Sequence, residues 1–404
     1  MIRYFWSHFF SILLAFVALA EWTCTAWVAV HVLGLSLDWP VHLAAPFVIY
    51  ALNRIVLGAR TRVSRLRRRS DMVRRVYTGV AFASIFGTVF LALVGVLWGT
   101  AWAGVKLASA AHPGLSLQPI TEAAVMLGTA GLFGVAGAIA YGYGIGQRRL
   151  AIVDLEVPLA GLAPGDDGLR VVQISDLHLG QYMSVERLAG YVERVNGLDP
   201  DLICITGDIT DGLDHVETTF PVLDRLRARF GVFAILGNHD VYTGADAVTE
   251  AIRTRTSIRV LRDQVAAVPV RAGRLYLLGL DDRGRDWAHG VCDHPSLDAL
   301  VAQIPKGEAY IVLSHRPDAF EHAARLEAGL TLAGHTHGGQ LALPWFGAAN
   351  PSLAHFITDY PRGTFAIGSS ILHVNVGLGV TGQPVRLATP REITVVTLRS
   401  HVCS

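Results

Sequence analysis

Apolar residues fall along this chain in two different patterns. Residues 76–105 hold thirty positions without a formal charge and residues 123–147 another twenty-five. As helix, each stretch crosses the about 30 Å of hydrocarbon in a bilayer. Residues 4–33 are apolar and aromatic apart from Glu21, with Trp6, Trp22 and Trp27 placed as interfacial anchors. A shorter candidate, residues 41–58, is interrupted by Asn53 and Arg54, and an arginine near a helix end reaches the headgroups. The pattern predicts a transmembrane region of about four helices over residues 1–150. A cleaved signal peptide is the alternative for the first span; the later spans and the missing small-residue cleavage pattern count against it.

After residue 150 the period shortens to β-branched runs, turns and amphipathic stretches, which predicts an α/β domain over residues 151–404. Strands are expected at Leu169–Ser175, Leu202–Thr206, Val232–Leu236, Tyr310–Ser314 and Leu330–Ala333, and a helix at Val185–Val195. In such a sheet, groups at the ends of successive strands converge on one crevice.

Composition agrees with the division, because 51% hydrophobic residues and a mean hydropathy of +0.40 are too apolar for an ordinary soluble enzyme. The formal charge of +1 hides a split of about +9 before residue 151 and −8 after it. The loop Arg60–Arg75 carries eight arginines and one acid, Asp71. The positive-inside bias sets it in the cytoplasm, and two spans later the α/β domain returns to that side. Contact with anionic lipid is favoured over a nucleic-acid patch, and no nucleic-acid partner is expected. Cys24, Cys204, Cys292 and Cys403 lack paired spacing and read as free thiols.

In the last apolar stretch Gly128, Gly131, Gly134 and Gly137 recur every third residue, a spacing that admits a neighbouring helix. Gly142, Gly144 and Gly146 do not make a dinucleotide loop, because no strand precedes them. Glu21 is either a functional intramembrane carboxylate or the structural partner of Arg54.

What carries chemistry sits just after the predicted strands: Asp176 and His178, Asp208, Asn238 with His239 and Asp240, His315, then His335 and His337. Histidines and carboxylates with an asparagine carbonyl and no thiolate suit Mn, Fe or Zn, and a carboxylate can bridge two ions. Two such ions about 3.5–4 Å apart clamp a phosphoryl oxygen and turn water into a hydroxide nucleophile near neutral pH. A lone histidine after a strand means little. Six such segments in order are harder to set aside.

The series Asp176-Leu-His178, Gly207-Asp208, Gly237-Asn238-His239-Asp240, Ser314-His315 and Gly334-His335-Thr336-His337 resembles the calcineurin-like metallophosphoesterase superfamily. The likeness covers roughly residues 168–400. Its ending, Gly377-Leu-Gly379, Pro384-Val-Arg386 and Glu392-Ile-Thr-Val-Val-Thr-Leu398, is similar to a bacterial membrane-associated branch that includes phosphodiesterases. The resemblance implies a four-layer sandwich of two mixed β-sheets flanked by helices, here preceded by the all-α transmembrane region. It makes Asp176, His178, Asp208 and His337 ligands of one metal ion. Asp208 bridges to a second ion held by Asn238, His315 and His335. Manganese is the favoured metal. His239 is left to face the substrate, with Asp240 orienting it. Gly207, Gly237, Gly334 and Gly338 fit as permissive turns.

Other residues stay open at this level. Arg316 binds substrate phosphate or pairs with Asp318. His355 and His373 have no assigned role, and Asn375-Val376 replaces the arginine that relatives commonly place before the Gly-x-Gly turn. The aromatic, proline-containing insert Trp345–Arg362 is a lid, a membrane-facing loop or a plain surface loop. The expected function is a phosphodiesterase anchored in the bacterial cytoplasmic membrane, with a cytoplasmic catalytic domain. Its substrate is a phosphate ester, with a lipid-linked one inferred from location, and membrane lipids are its partners. The alternatives are a tethered hydrolase of soluble nucleotides or phosphomonoesters, and a non-catalytic metal-binding sensor.

Overall fold

The computed structural model describes residues 2–58, 64–109, 112, 114–284, 293–343 and 351–400, with the side chains of 2–10, 57–58 and 64–75 excepted. Cys292, Cys403, the ring of Trp6 and residues 345–350 of the 345–362 insert lie outside the described residues. Chain contacts divide the molecule into Met1–Tyr141 and Gly142–Ser404.

The first unit is built on four helices: α1 (Ile2–His31), α2 (Trp39–Gly58), α3 (Ser64–Ala108) and α4 (Gln118–Gly144). Three stretches among the described residues, Ser11–His31, Val76–Ala108 and Gln118–Arg148, are long and apolar enough to cross a membrane. The chain is a membrane protein. Candidate 41–58 lies within the 20-residue α2, which contains Pro46. The arginine-rich segment differs from expectation, since it is helical from Ser64 onward as the start of α3. Arginine is a good helix former, so a run of charge need not be a loop.

Inside this bundle Glu21 accepts from Asn53 Nδ2 at 3.0 Å, and Tyr77 donates to Asn53. Arg54, the expected partner, lies against Tyr50 instead. Adjacent helical positions face different sides, so Asn53 points inward where Arg54 does not. Of the four spaced glycines, a side chain at Gly128 would strike Trp27 and one at Gly131 would strike Phe90, whereas Gly134 and Gly137 face open space. Among the described residues, close packing therefore uses only the first two.

The second unit contains β1 (Leu150–Leu159), β2 (Leu169–Ile174), α5 (Val185–Asn196), β3 (Leu202–Thr206), α6 (Val216–Leu223), β4 (Val232–Ile235), α7 (Asn238–Arg255), β5 (Arg259–Val260) and β6 (Gln264–Pro269). It continues with β7 (Arg274–Gly279), α8 (Leu297–Val301), β8 (Ala309–Leu313), α9 (Phe320–Arg325), β9 (Leu330–Ala333), β10 (Gly363–Ile367), β11 (Ser370–Val374) and β12 (Arg391–Ser400). Two six-stranded sheets form, in orders β1-β12-β2-β3-β4-β5 and β10-β11-β9-β8-β7-β6. Both are mixed: β12 runs antiparallel to β2 while β2, β3 and β4 are parallel, and β6 is antiparallel to β7 while β7, β8 and β9 are parallel.

Alternation along each strand makes the layers. Leu202 and Cys204 join Leu277, Ile311 and Leu332 in a core between the sheets, while Ile203 and Ile205 pack on the other face with Leu188, Phe220 and Ile252 from α5–α7. Val312 similarly turns from the inter-sheet core towards Leu297, Leu300 and Ala323 of α8 and α9. The result is the expected helix–sheet–sheet–helix order. The carboxyl ends of β2, β3 and β4 in one sheet and of β8 and β9 in the other open towards one another, which brings distant loops together.

Candidate metal centre

Each expected ligand sits two to four residues beyond the end of a strand, and most lie in unusual backbone. Asp176, His178, Asp208, His335 and His337 all have φ between 44° and 71°. Non-glycine residues rarely occupy that region, and those that do concentrate at functional sites. The turns are held by pairing that continues past the strands: Asp176 N donates to Gly207 O at 3.0 Å and His178 N to Asp208 O at 3.0 Å. Glycine is needed where these loops touch. Gly207 has φ +91°, and a side chain at Gly334 would fall on Ser175 and Asp176.

The expected ligands fall into two groups, and His178, Asp208 and His239 make a third that overlaps both. Asp176, His178 and His337 offer ligand atoms within 4.8 Å of one another, as do Asp208, His315 and His335. His178 Nε2 and His337 Nε2 are 3.0 Å apart. Asp208 turns Oδ2 to His178 Nε2 at 3.5 Å and Oδ1 to His315 Nε2 at 3.4 Å, so it faces both groups. Asn238 Oδ1 joins the second at 3.2 Å from His315 Nε2.

Donor chemistry fits a pair of divalent ions. His178 Nδ1 lies 2.7 Å from Asp211, and His315 Nδ1 lies 2.8 Å from the Thr206 carbonyl. Each contact takes up Nδ1–H and leaves the Nε2 lone pair aimed at the centre, the usual way a protein fixes a ligating tautomer. Burial opposes charge on these rings, but the surrounding carboxylates outweigh it. Asp211, Asp208 and Asp176 lift His178 to about 9, and Asp208 with Asp176 and Asp282 lifts His315 to about 10. Burial and the neighbouring cations instead push His335 and His337 well down. Burial also opposes ionisation of Asp208, yet His315 above all holds its carboxyl well below the usual range. The centre is a buried set of charges that attract one another and still have donor atoms to spare.

His239 lies at the edge of the centre, with a ring nitrogen within 4.8 Å of ligand atoms of His178 and Asp208, although the resemblance leaves it free of metal. Its ring packs edge-on against His178, with Nδ1 3.0 Å from Asp211 Oδ1 and a side chain 34% exposed. Asp240 does not orient it. The Asp240 carboxylate is buried and accepts from the amides of Gly237, Ile209 and Thr210 at 2.9–3.1 Å, capping the start of α7 and tying the loop after β3 to that after β4. Burial and the nearby Asp208 push Asp240 up to about 6. The orienting carboxylate is Asp211, which serves His178 and His239 together. Sequence reading missed it, although a second acid three residues past Asp208 in the same loop was a signal.

Two fully buried arginines support the centre from behind. Arg386 Nη2 reaches the carbonyls of Val376 and Gly379, both at 2.8 Å, and lies 3.4 Å from His337 Nδ1. Arg391 donates to Leu378 O. Together they fix the Gly377–Gly379 turn, whose last amide donates to Asp176 O at 2.6 Å. Asn375 shapes the same turn by accepting from Gly377 N. Arg316 pairs with Asp282 at 2.7 Å rather than with Asp318, which accepts from Thr358. His373 is buried against Glu392 and Thr364, and His355 caps Ser352, so both are structural.

A family model described as calcineurin-like phosphoesterase matches residues 169–339. An uncharacterized metallophosphoesterase of Bacillus subtilis is 33% identical over 283 residues, covering 67% of this chain and 96% of that protein. A transmembrane protein with metallophosphoesterase domain from Danio rerio is 31% identical over 259 residues, 61% of this chain and 57% of the relative. The crystal structure of a dimetal phosphatase from Danio rerio is similar at 15% identity and a TM-score of 0.34, over 54% of this chain and 90% of that one. Matched along nearly the whole of the Bacillus relative, over the span that holds every donor, the chain belongs to the calcineurin-like metallophosphoesterases, metal-dependent hydrolases of phosphoric esters.

Proposed function

We propose that the protein is a membrane-anchored phosphodiesterase whose catalytic unit lies on the cytoplasmic side of a bacterial membrane and acts on a phosphate ester presented there. The observation that carries the reading is His239, held by Asp211 at the edge of two converging donor groups and open to solvent. Asp176, His178, Asp208 and His337 would hold one ion, and Asp208, Asn238, His315 and His335 the other; nitrogen and oxygen donors without thiolate favour manganese among Mn, Fe and Zn. Bound there, the ions supply charge to the phosphoryl oxygens and acidify water. His239 then donates a proton to the leaving oxygen or a hydrogen bond to the charge building on phosphorus, and Asp211 fixes the ring for either task.

A diester is supported by a cavity of about 330 Å³ beside His315, walled in part by Leu280, Pro295 and Ala319, which has room for a second ester arm. Cytoplasmic placement is supported by the eight arginines of residues 60–75, which precede the last two apolar stretches. The crossing of α2 belongs to the same proposal.

The test uses the full chain in detergent, stripped of metal and reloaded with Mn²⁺, on bis-p-nitrophenyl phosphate beside p-nitrophenyl phosphate. Faster turnover of the diester is expected, and His239→Ala lowers kcat by about 10²–10⁴-fold with bound manganese unchanged. No metal-dependent turnover of either ester sinks the reading, and a monoester preference moves it to the tethered phosphomonoesterase. A reporter fused after Ser404 that is active only outside the cytoplasm overturns the topology.

A further inference from the structure

Beside the metal loop the catalytic unit exposes apolar side chains that its own fold does not use. Phe356 is 88% exposed and Ile357 58%, with Leu353 and Leu343 also open to solvent. They sit on and around the short 3-10 turn Leu353–Phe356. That turn packs on the Gly338-Gly339 corner directly after His337, where a side chain at Gly339 would meet Ser352 and Ala354. It is held from several directions. Ala342 bridges to Ser352, His355 Nδ1 accepts from Ser352 N at 3.2 Å, and Thr358 donates to Asp318 at 2.8 Å. A phenylalanine fixed outward on a pinned turn at the rim of an active centre marks an interaction surface.

We propose that this patch enters the lipid surface of the membrane that anchors the chain, and so sets the catalytic centre against lipid-borne phosphate esters. The inference deepens the membrane part of the reading above and rests on it. Two observations select lipid as the occupant. Only five residues separate the end of α4 at Gly144 from the start of β1 at Leu150, so a bilayer stays within roughly 20 Å of chain from this unit. The segment Pro351–Thr358 has no acidic or basic residue apart from His355, and a single exposed acid, Asp359, follows it. Uncharged apolar side chains suit the acyl boundary, and anionic headgroups do not repel them.

The experiment reads depth and not catalysis. In the full chain with Cys292→Ser and Cys403→Ser, the remaining Cys24 and Cys204 are buried, so Phe356→Cys takes an environment-sensitive dye selectively. The labelled chain is reconstituted into vesicles of phosphatidylethanolamine and phosphatidylglycerol with and without spin-labelled lipid. The label at 356 is expected to lose roughly half its emission to the spin label, while one at the exposed Glu193 loses almost none. Equal emission with and without spin-labelled lipid at 356 overturns the proposal. So does quenching that follows protein density instead of spin label, which would make the patch a contact between copies. As a second variant, Phe356→Ser/Ile357→Ser alters only exposed side chains. It should leave bis-p-nitrophenyl phosphate turnover within about twofold and lower turnover of a vesicle-borne chromogenic diester by roughly tenfold. Equal rates on the vesicle-borne ester also overturn it. Failure of the phosphodiesterase reading shows separately, as no turnover of the soluble diester by the unmodified chain.

Discussion

The helical unit and the catalytic unit are built for opposite solvents. In the first, Phe47 and Leu107 are 75% and 80% exposed while Glu21 and Asn53 are buried; in the second, the leucines and isoleucines of β3, β8 and β9 are wholly enclosed. A buried carboxylate therefore means different things in the two. Glu21 accepts from Asn53, which accepts from Tyr77, in a small hydrogen-bonded cluster that can hold helices in register. Asp208 meets His178 and His315, which can bind an ion once their protons leave, beside His335 and His337, which burial keeps neutral and able to donate. Burial alone does not identify a functional acid. Leftover donor capacity around it does.

The sharpest test of that difference is Asp208→Asn, which removes the shared ligand. Turnover should fall by on the order of 10³-fold or more, with fewer than two manganese ions retained by elemental analysis and an unchanged circular dichroism spectrum. Next comes Asp211→Asn, which frees both His178 and His239. Manganese affinity should drop by roughly 10–100-fold, seen in equilibrium dialysis; an unchanged affinity would mean that the carboxylate serves only His239.

A smaller effect concerns protons. In the metal-free centre His178 and His315 keep theirs up to about 9 and 10, so at neutral pH ions must displace them. Calorimetry in buffers of different ionisation enthalpy should then show about two protons released on loading, with affinity falling as pH is lowered. Release of none would remove the charge argument made for this centre. The smallest change is expected from Glu21→Gln, which should leave soluble-diester turnover within about twofold. A large loss would erase the contrast between the two units.

Much of the site could be read from the chain because strand ends are local. A β-branched run followed by Asp-Leu-His or Gly-His-Thr-His announces both the strand and what leaves it; six of the seven proposed ligands fall into the donor groups, and Asn238 joins them through His315. What could not be read depended on neighbours in space. Asp240 lies beside His239 in sequence, but the third position of a helix lets its carboxylate reach back to Gly237 N, so it serves the cap. Asp211 took the orienting role because the loop after β3 folds back beside β2. Pairing of β1 with β12 joins Leu150 to Arg391, a separation no periodicity reveals. Arg386 stands in the sequence only as part of the Pro384-Val-Arg386 ending, and nothing local tells that it and Arg391 hold backbone carbonyls beside the centre.

The left-handed backbone at Asp176, His178, Asp208, His335 and His337 bears on how quickly this centre can fill. Those turns are imposed by the sheets and by the buried arginines, so their shape does not wait for an ion. A metal reaching such a cage has little chain to order, and the step that limits its capture is loss of its own water. Exchange kinetics should then follow the hydration of the ion offered more than the folding of the protein.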